Sequence, residues 1–182
     1  MSMIYVNTPK NKFSLDQRRE LALSLTDAVL IPEMGQPAPK SRKGFQVHFI
    51  EREENMMAIG GKLLCDYPEN ERPDIITVNI RVMNAPWSSE TRRQVLLNVL
   101  NALAKACHQD IPSPAWWVTF EITDEGSWGS RGKQLSIMDL LGVGAFSKER
   151  EENVEKIFIL NKEKQRQLMM EWKKKFQELI CR

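Results

Sequence analysis

The sequence predicts an α+β fold built from α/β-type units. Two tandem β-α-β units form a four-stranded sheet with two helices on one face, and a C-terminal helical extension follows. Three observations carry this reading. The order strand, helix, strand occurs twice within the 182 residues. Corresponding landmarks are evenly offset, with Ser88 lying 74 residues after Ser14 and Trp116 lying 71 after Phe45. From Lys148 onward there is neither glycine nor proline, so that stretch reads as helical.

Each element has its own local reason. Met3 to Asn7 is short and β-favouring, and Thr8-Pro9-Lys10-Asn11-Lys12 carries turn chemistry. Ser14-Leu15-Asp16-Gln17 forms a capping box, and Leu21, Leu25, Ala28 and Val29 recur at helical spacing to about Ile31, just before Pro32. A Pro- and Gly-rich loop runs from Pro32 to Gly44. Phe45, Val47 and Phe49 then alternate with Gln46, His48 and Ile50 as a strand. In the second unit Ile76, Val78, Ile80 and Val82 alternate with Thr77, Asn79 and Arg81. Ser88-Ser89-Glu90 caps a helix with Val95, Leu96, Val99, Leu100, Leu103 and Cys107 on its apolar face. Beyond Pro112 and Pro114, Trp116, Val118, Phe120 and Ile122 alternate with Trp117, Thr119 and Glu121. Each unit predicts two parallel strands under a right-handed crossover helix. Strands this apolar predict that the second sheet face is covered too, and self-association is the natural cover.

Composition excludes several classes. The chain is 42% hydrophobic and 27% charged, as expected of a folded globular domain. No apolar run approaches the roughly 20 residues of a membrane span. The start Met1-Ser2-Met3-Ile4-Tyr5 lacks the features of a signal peptide. Cys65, Cys107 and Cys181 are scattered, without metal spacing or a paired framework. The expectation is a reduced, cytoplasmic protein with no membrane partner. A net charge of +2 predicts no strong attraction to nucleic acid. With only His48 and His108, a multi-histidine metal site is out of reach, and no metal or other cofactor is assigned.

The extension, residues 148–182, differs in character. Its ten basic and seven acidic residues give +3, so residues 1–147 carry −1 of the chain's +2. Leu168, Trp172, Phe176, Leu179 and Ile180 make an apolar stripe, read as docking on the body or on a neighbouring subunit. The wholly polar Asn161 to Gln167 is expected to divide the segment into two helices.

The paired units resemble the tautomerase superfamily and, more narrowly, its cis-3-chloroacrylic acid dehalogenase subgroup. The resemblance covers residues 2–141. It is carried by Leu25-Thr26-Asp27-Ala28, Gln46-Val47-His48-Phe49-Ile50-Glu51, Asn55-Met56-Met57-Ala58-Ile59-Gly60-Gly61-Lys62, Ile80-Arg81 and Trp117-Val118-Thr119-Phe120. It implies a homotrimer whose site lies at the sheet edge. There an amino-terminal proline acts as base, acid or nucleophile, and arginines hold a substrate carboxylate. The implied reactions are tautomerisation, hydration with dehalogenation, and decarboxylation. Residue by residue, Ser2 stands at the proline position and Arg81 at that of the first pocket arginine. Val29 stands where the family has histidine, Trp87 where it has a second arginine, and Thr119 where it has tyrosine. Ser127, ahead of Trp128-Gly129, stands where an acid is expected.

Two functions follow as alternatives. The first is a diverged isomerase or lyase acting on a small or aromatic carbonyl acid. Ser2, freed of Met1, would supply an amine base or a Schiff base, and Arg81 would hold the anion. Val29, Trp87, Thr119, Ser127 and Trp128 would line its pocket. The second is a non-catalytic trimeric binding or assembly protein on the same scaffold. His48 reads as structural, Gly60-Gly61-Lys62 as a backbone turn, and Cys107 as core packing. Trp117 is read more readily as packing than as pocket lining.

Overall fold

The computed structural model describes residues 2–83, 87–130 and 132–180, without the side chains of 178–180. Along the chain run β1 (Met3–Pro9), α1 (Leu15–Met34), β2 (Gln46–Arg52), β3 (Ala58–Ile59), β4 (Lys62–Leu63) and β5 (Ile76–Met83). They are followed by α2 (Ser89–Ala106), β6 (Trp116–Thr123), β7 (Gly129–Ser130), β8 (Lys133–Gln134) and α3 (Lys148–Ile180). Cys181 of the three cysteines lies outside the described residues.

Ile4, Val6 and Thr8 of β1 are buried while the residues between them face the other way, the alternation of a sheet with one covered face. β1 pairs in parallel with β2, Tyr5 opposite His48, and antiparallel with β5, Met3 opposite Arg81. β5 pairs in parallel with β6, placing Arg81 opposite Glu121. The sheet order is therefore β2-β1-β5-β6: each unit contributes one parallel pair, and the units meet through β1 and β5. Leu21, Leu25 and Val29 of α1 and Val95, Val99 and Leu103 of α2 join Ile4, Val6, Ile76, Val78 and Ile80 in one core.

Both helices begin where the sequence placed them. Ser14 and Gln17 close the capping box reciprocally, and Ser88 Oγ accepts from the Thr91 amide at 3.1 Å. α1 ends differently. It runs through Pro32 to Met34, three residues past the expected stop, and is capped by Gly35 at φ 72°. Proline removes one amide donor, but this close to the end the Gly35 N–H still reaches the Ile31 carbonyl at 2.8 Å. The extra turn continues the buried row Leu21, Leu25, Val29 with Glu33, which is also fully buried.

Gly35 also touches the start of α3. The Ser147 amide donates to the Met34 carbonyl at 2.8 Å, and a Cβ on Gly35 would stand 2.5 Å from Ser147 Oγ. Gly35→Ala, strained in the left-handed region and blocked by that hydroxyl, is expected to lose about 1–3 kcal/mol of unfolding free energy. Urea denaturation reads this, and an unshifted midpoint would show the contact to be unimportant.

The second sheet face, expected to be covered by self-association, is mostly polar. The face away from the helices presents Tyr5, His48, Asn79, Arg81, Thr119 and Glu121, joined laterally to one another. The Tyr5 and His48 rings stack at 5.1 Å, Asn79 Nδ2 donates to Thr119 Oγ1 at 3.1 Å, and Arg81 bridges Glu121. The strands alternate, so their apolar residues are consumed by the helix side. Met3 and Ile50 share this face, and Trp117, 66% exposed, is its exposed large apolar residue.

The expectation for the extension is corrected. α3 is one unbroken helix, because the Lys, Glu, Gln and Arg of the polar stretch are good helix formers. Its head joins the core through Phe146 and Val154, both buried. Leu168, Trp172 and Phe176 do not dock on the body but remain exposed. At 1.5 Å per residue, Phe176 lies about 33 Å along the axis from Val154, beyond reach of the sheet layer. Leu179 and Ile180 lie outside the described side chains.

Candidate functional site

The sequence-predicted residues fall into two places on opposite sides of the sheet. The first is a cavity of about 570 Å³ at the ends of β5 and β6, lined by Met3, Arg81, Glu121, Asp124, Ser127 and Trp128 among others. Register places Arg81 beside Glu121, and the guanidinium lies 2.8 Å from Oε1 and 3.1 Å from Oε2. The Glu121 carboxylate, through the hydrogen bond first and its charge second, holds the Arg81 pKa above the usual arginine value. The guanidinium also sits 5.8 Å from the Tyr5 ring centre. Both charged side chains are nearly half exposed, so an incoming carboxylate can compete with Glu121 for the guanidinium's remaining donors. The Trp128 indole Nε1 is buried and has no acceptor among the described residues.

The second place is a buried network on the helix side. Ser2 precedes β1 in the same alternation as Ile4 and Val6 and is fully buried. Its Oγ donates to Glu33 Oε2 at 2.7 Å. Arg150, from the first turn of α3, donates from Nε to the Glu33 carbonyl at 2.9 Å and from its terminal nitrogen to Thr91 Oγ1 at 2.8 Å. Thr91 Oγ1 lies 2.9 Å from the α2 cap hydroxyl of Ser88. Burial pulls the Arg150 pKa below its ordinary value, while the Glu33 charge acts in the opposite direction. The start of β1, the end of α1, the head of α2 and the head of α3 thus meet in one polar cluster.

Arg81, Ser127 and Trp128 are therefore brought together around the cavity. Val29 is fully buried in the core, and Trp87 is 3% exposed with its ring 5.5 Å from Phe120. Both belong to the helix side with Ser2. Thr119 stands on the open face, accepting from Asn79. His48 stacks on Tyr5 and bonds Gln46, and Gly60 and Gly61 turn between β3 and β4 with φ of 60° and 84°. Cys107 closes α2 half-buried, its thiol pKa raised by burial.

Sequence reasoning missed Glu33, Thr91, Arg150 and Glu121. Glu33 had a signal, as an acid continuing the four-residue row of Leu21, Leu25 and Val29. Arg150 had none, since its partners lie 59 and 117 residues away.

No family model matches the chain, and no curated protein matches it by sequence. Solved structures do match its fold. Native fused 4-OT aligns with a TM-score of 0.60 at 18% identity, covering 77% of this chain and 98% of that one. A member of the cis-3-chloroacrylic acid dehalogenase family aligns at 0.59 with 14% identity, covering 85% of this chain and 99% of its own. A wild-type fused 4-OT solved as a symmetric trimer aligns at 0.58 with 16% identity, covering 76% and 98%. At such identities the likeness is one of fold. The chain has the tautomerase-superfamily fold, the one seen in the fused 4-OT and cis-3-chloroacrylic acid dehalogenase-family structures.

Proposed function

We propose that this chain is a diverged superfamily member, of the cis-3-chloroacrylic acid dehalogenase-like subgroup, that binds a small organic acid without amine catalysis. The observation that carries this is Ser2: fully buried, its hydroxyl given to Glu33, whose own carbonyl accepts from Arg150. A residue so placed serves structure. The cavity on the other sheet face offers what recognition needs: a guanidinium for a carboxylate and the Trp128 indole for a flat or aromatic body. In this reading residues 2–141 form the binding body and 148–182 an extension that locks the amino-terminal position. The open sheet face, with exposed Trp117 and the paired Arg81 and Glu121, is the surface through which copies assemble as a cytoplasmic homotrimer.

Incubation with phenylenolpyruvate tests the reading. The expected result is ketonisation at the background rate, together with calorimetric binding of phenylpyruvate that Arg81→Ala weakens at least tenfold. Turnover above background that Arg81→Ala abolishes would instead establish the second reading, a diverged isomerase or lyase. That reading draws on one specific feature: Met3, the neighbour of Ser2, lines the same cavity as Arg81. For assembly, Trp117→Glu is expected to shift the solution mass from trimer toward monomer in sedimentation equilibrium. An unchanged mass would move the interface elsewhere.

A further inference from the structure

The distal half of α3 is an exposed amphipathic surface of definite charge pattern. Beyond Leu160 the chain carries seven basic and three acidic residues, whereas residues 148–160 carry three basic and four acidic. At 100° per residue, Leu168, Met169, Trp172 and Phe176 share one side of the helix. Their exposures are 59%, 73%, 68% and 64%, so nothing among the described residues covers them. Lys164 and Lys175 border this stripe on one edge, and Lys162, Arg166 and Lys173 border it on the other. Glu163 and Lys174 fall on the opposite side, and Glu171 lies just behind the Lys164 edge.

We propose that this half of α3 lies on the surface of a bilayer rich in anionic phospholipid. The apolar stripe would sit at the headgroup–acyl boundary, and the bordering lysines and arginine would reach the phosphates. Two features select this occupant. Basic residues flank the stripe directly on both edges and no acid stands between them and the stripe, which is the complement of a negatively charged plane. Trp and Phe on the stripe suit a boundary that is apolar on one side and wet on the other. Among the described residues no helix is long and apolar enough to cross a membrane, and a helix lying in the interface does not need to be.

Co-sedimentation of the full chain with phosphatidylcholine vesicles, with and without phosphatidylserine, provides the test. Binding is expected only with phosphatidylserine present, and it should weaken as salt rises. Lys173→Gln should reduce it about fivefold. The double change W172A/F176A should reduce it at least tenfold, with the unfolding midpoint unchanged because both side chains are exposed. Three results would overturn the proposal: no binding, equal binding to neutral vesicles, or binding indifferent to W172A/F176A. A further result would do so by naming another occupant: no vesicle binding, with a solution mass that W172A/F176A lowers, would assign the stripe to a second copy of the chain.

Discussion

Arg150→Ala is expected to lower the unfolding free energy by about 2–3 kcal/mol, the largest effect of any single change in the extension. The guanidinium ties the end of α1 to the head of α2 through two hydrogen bonds, to the Glu33 carbonyl and to Thr91 Oγ1. Removing one member of a buried charged set leaves the others desolvated without their compensation, and such losses run to about 3–5 kcal/mol for fully buried pairs. Arg150 is only partly buried, which lowers the figure. Two bonds from different nitrogens also depend on the planar fork, so Arg150→Lys should recover the charge but less than half of the lost stability. Urea denaturation measures both, and an unchanged midpoint for the alanine variant would remove Arg150 from the account of the fold. A Ser2→Ala variant gives an independent check: it removes a bond to a charged acceptor and should lose about 1.5–3 kcal/mol.

The elements were legible because their signals are local. The Ser14–Gln17 box, the Ser88 cap and the period-two runs at Ile76 and Trp116 each lie within a few residues of one another. The polarity of the sheet's second face was also visible in the sequence. Thr77, Asn79 and Arg81 had already announced its polarity, but the apolar residues between them suggested that both sides needed cover. Pro32 was read as a stop, yet a proline in a final turn forfeits only one bond. That single turn is what buries Glu33 beneath Ser2. What the sequence could not display was the place of Arg150 in this cluster, because nothing in its own neighbourhood distinguishes it from the other charges of a solvated helix. Its partners become neighbours only when the C-terminal helix folds back onto the two others. Arg81 and Ser127 could be placed at one site from a motif, whereas Glu121 beside them follows only from strand register.

Trp87→Ala is expected to have the largest effect in the body, about 3–5 kcal/mol, as large aromatic-to-alanine changes do in cores. Trp87 is 3% exposed, lies directly before the Ser88 cap and meets the Phe120 ring at 5.5 Å and 52°. Its loss removes contacts to β6 and leaves a void under the head of α2. No hydrogen bond is lost with it, because the indole Nε1 has no acceptor among the described residues, so the effect is one of packing alone. Packing losses of this kind can be refilled: an apolar void of aromatic size binds aromatic molecules. Indole should therefore raise the melting temperature of Trp87→Ala in a concentration-dependent way, by the linkage of binding to folding, and leave the parent protein unmoved. Trp87→Arg should be worse than alanine, since a guanidinium would enter a site shaped for a flat apolar ring. If arginine proved better tolerated than alanine and indole rescued neither variant, the position would be open to solvent or ligand. The fold would then retain an accessible pocket on its helix side. The opposite order, with rescue of alanine by indole, means that this helix-side position is filled with core.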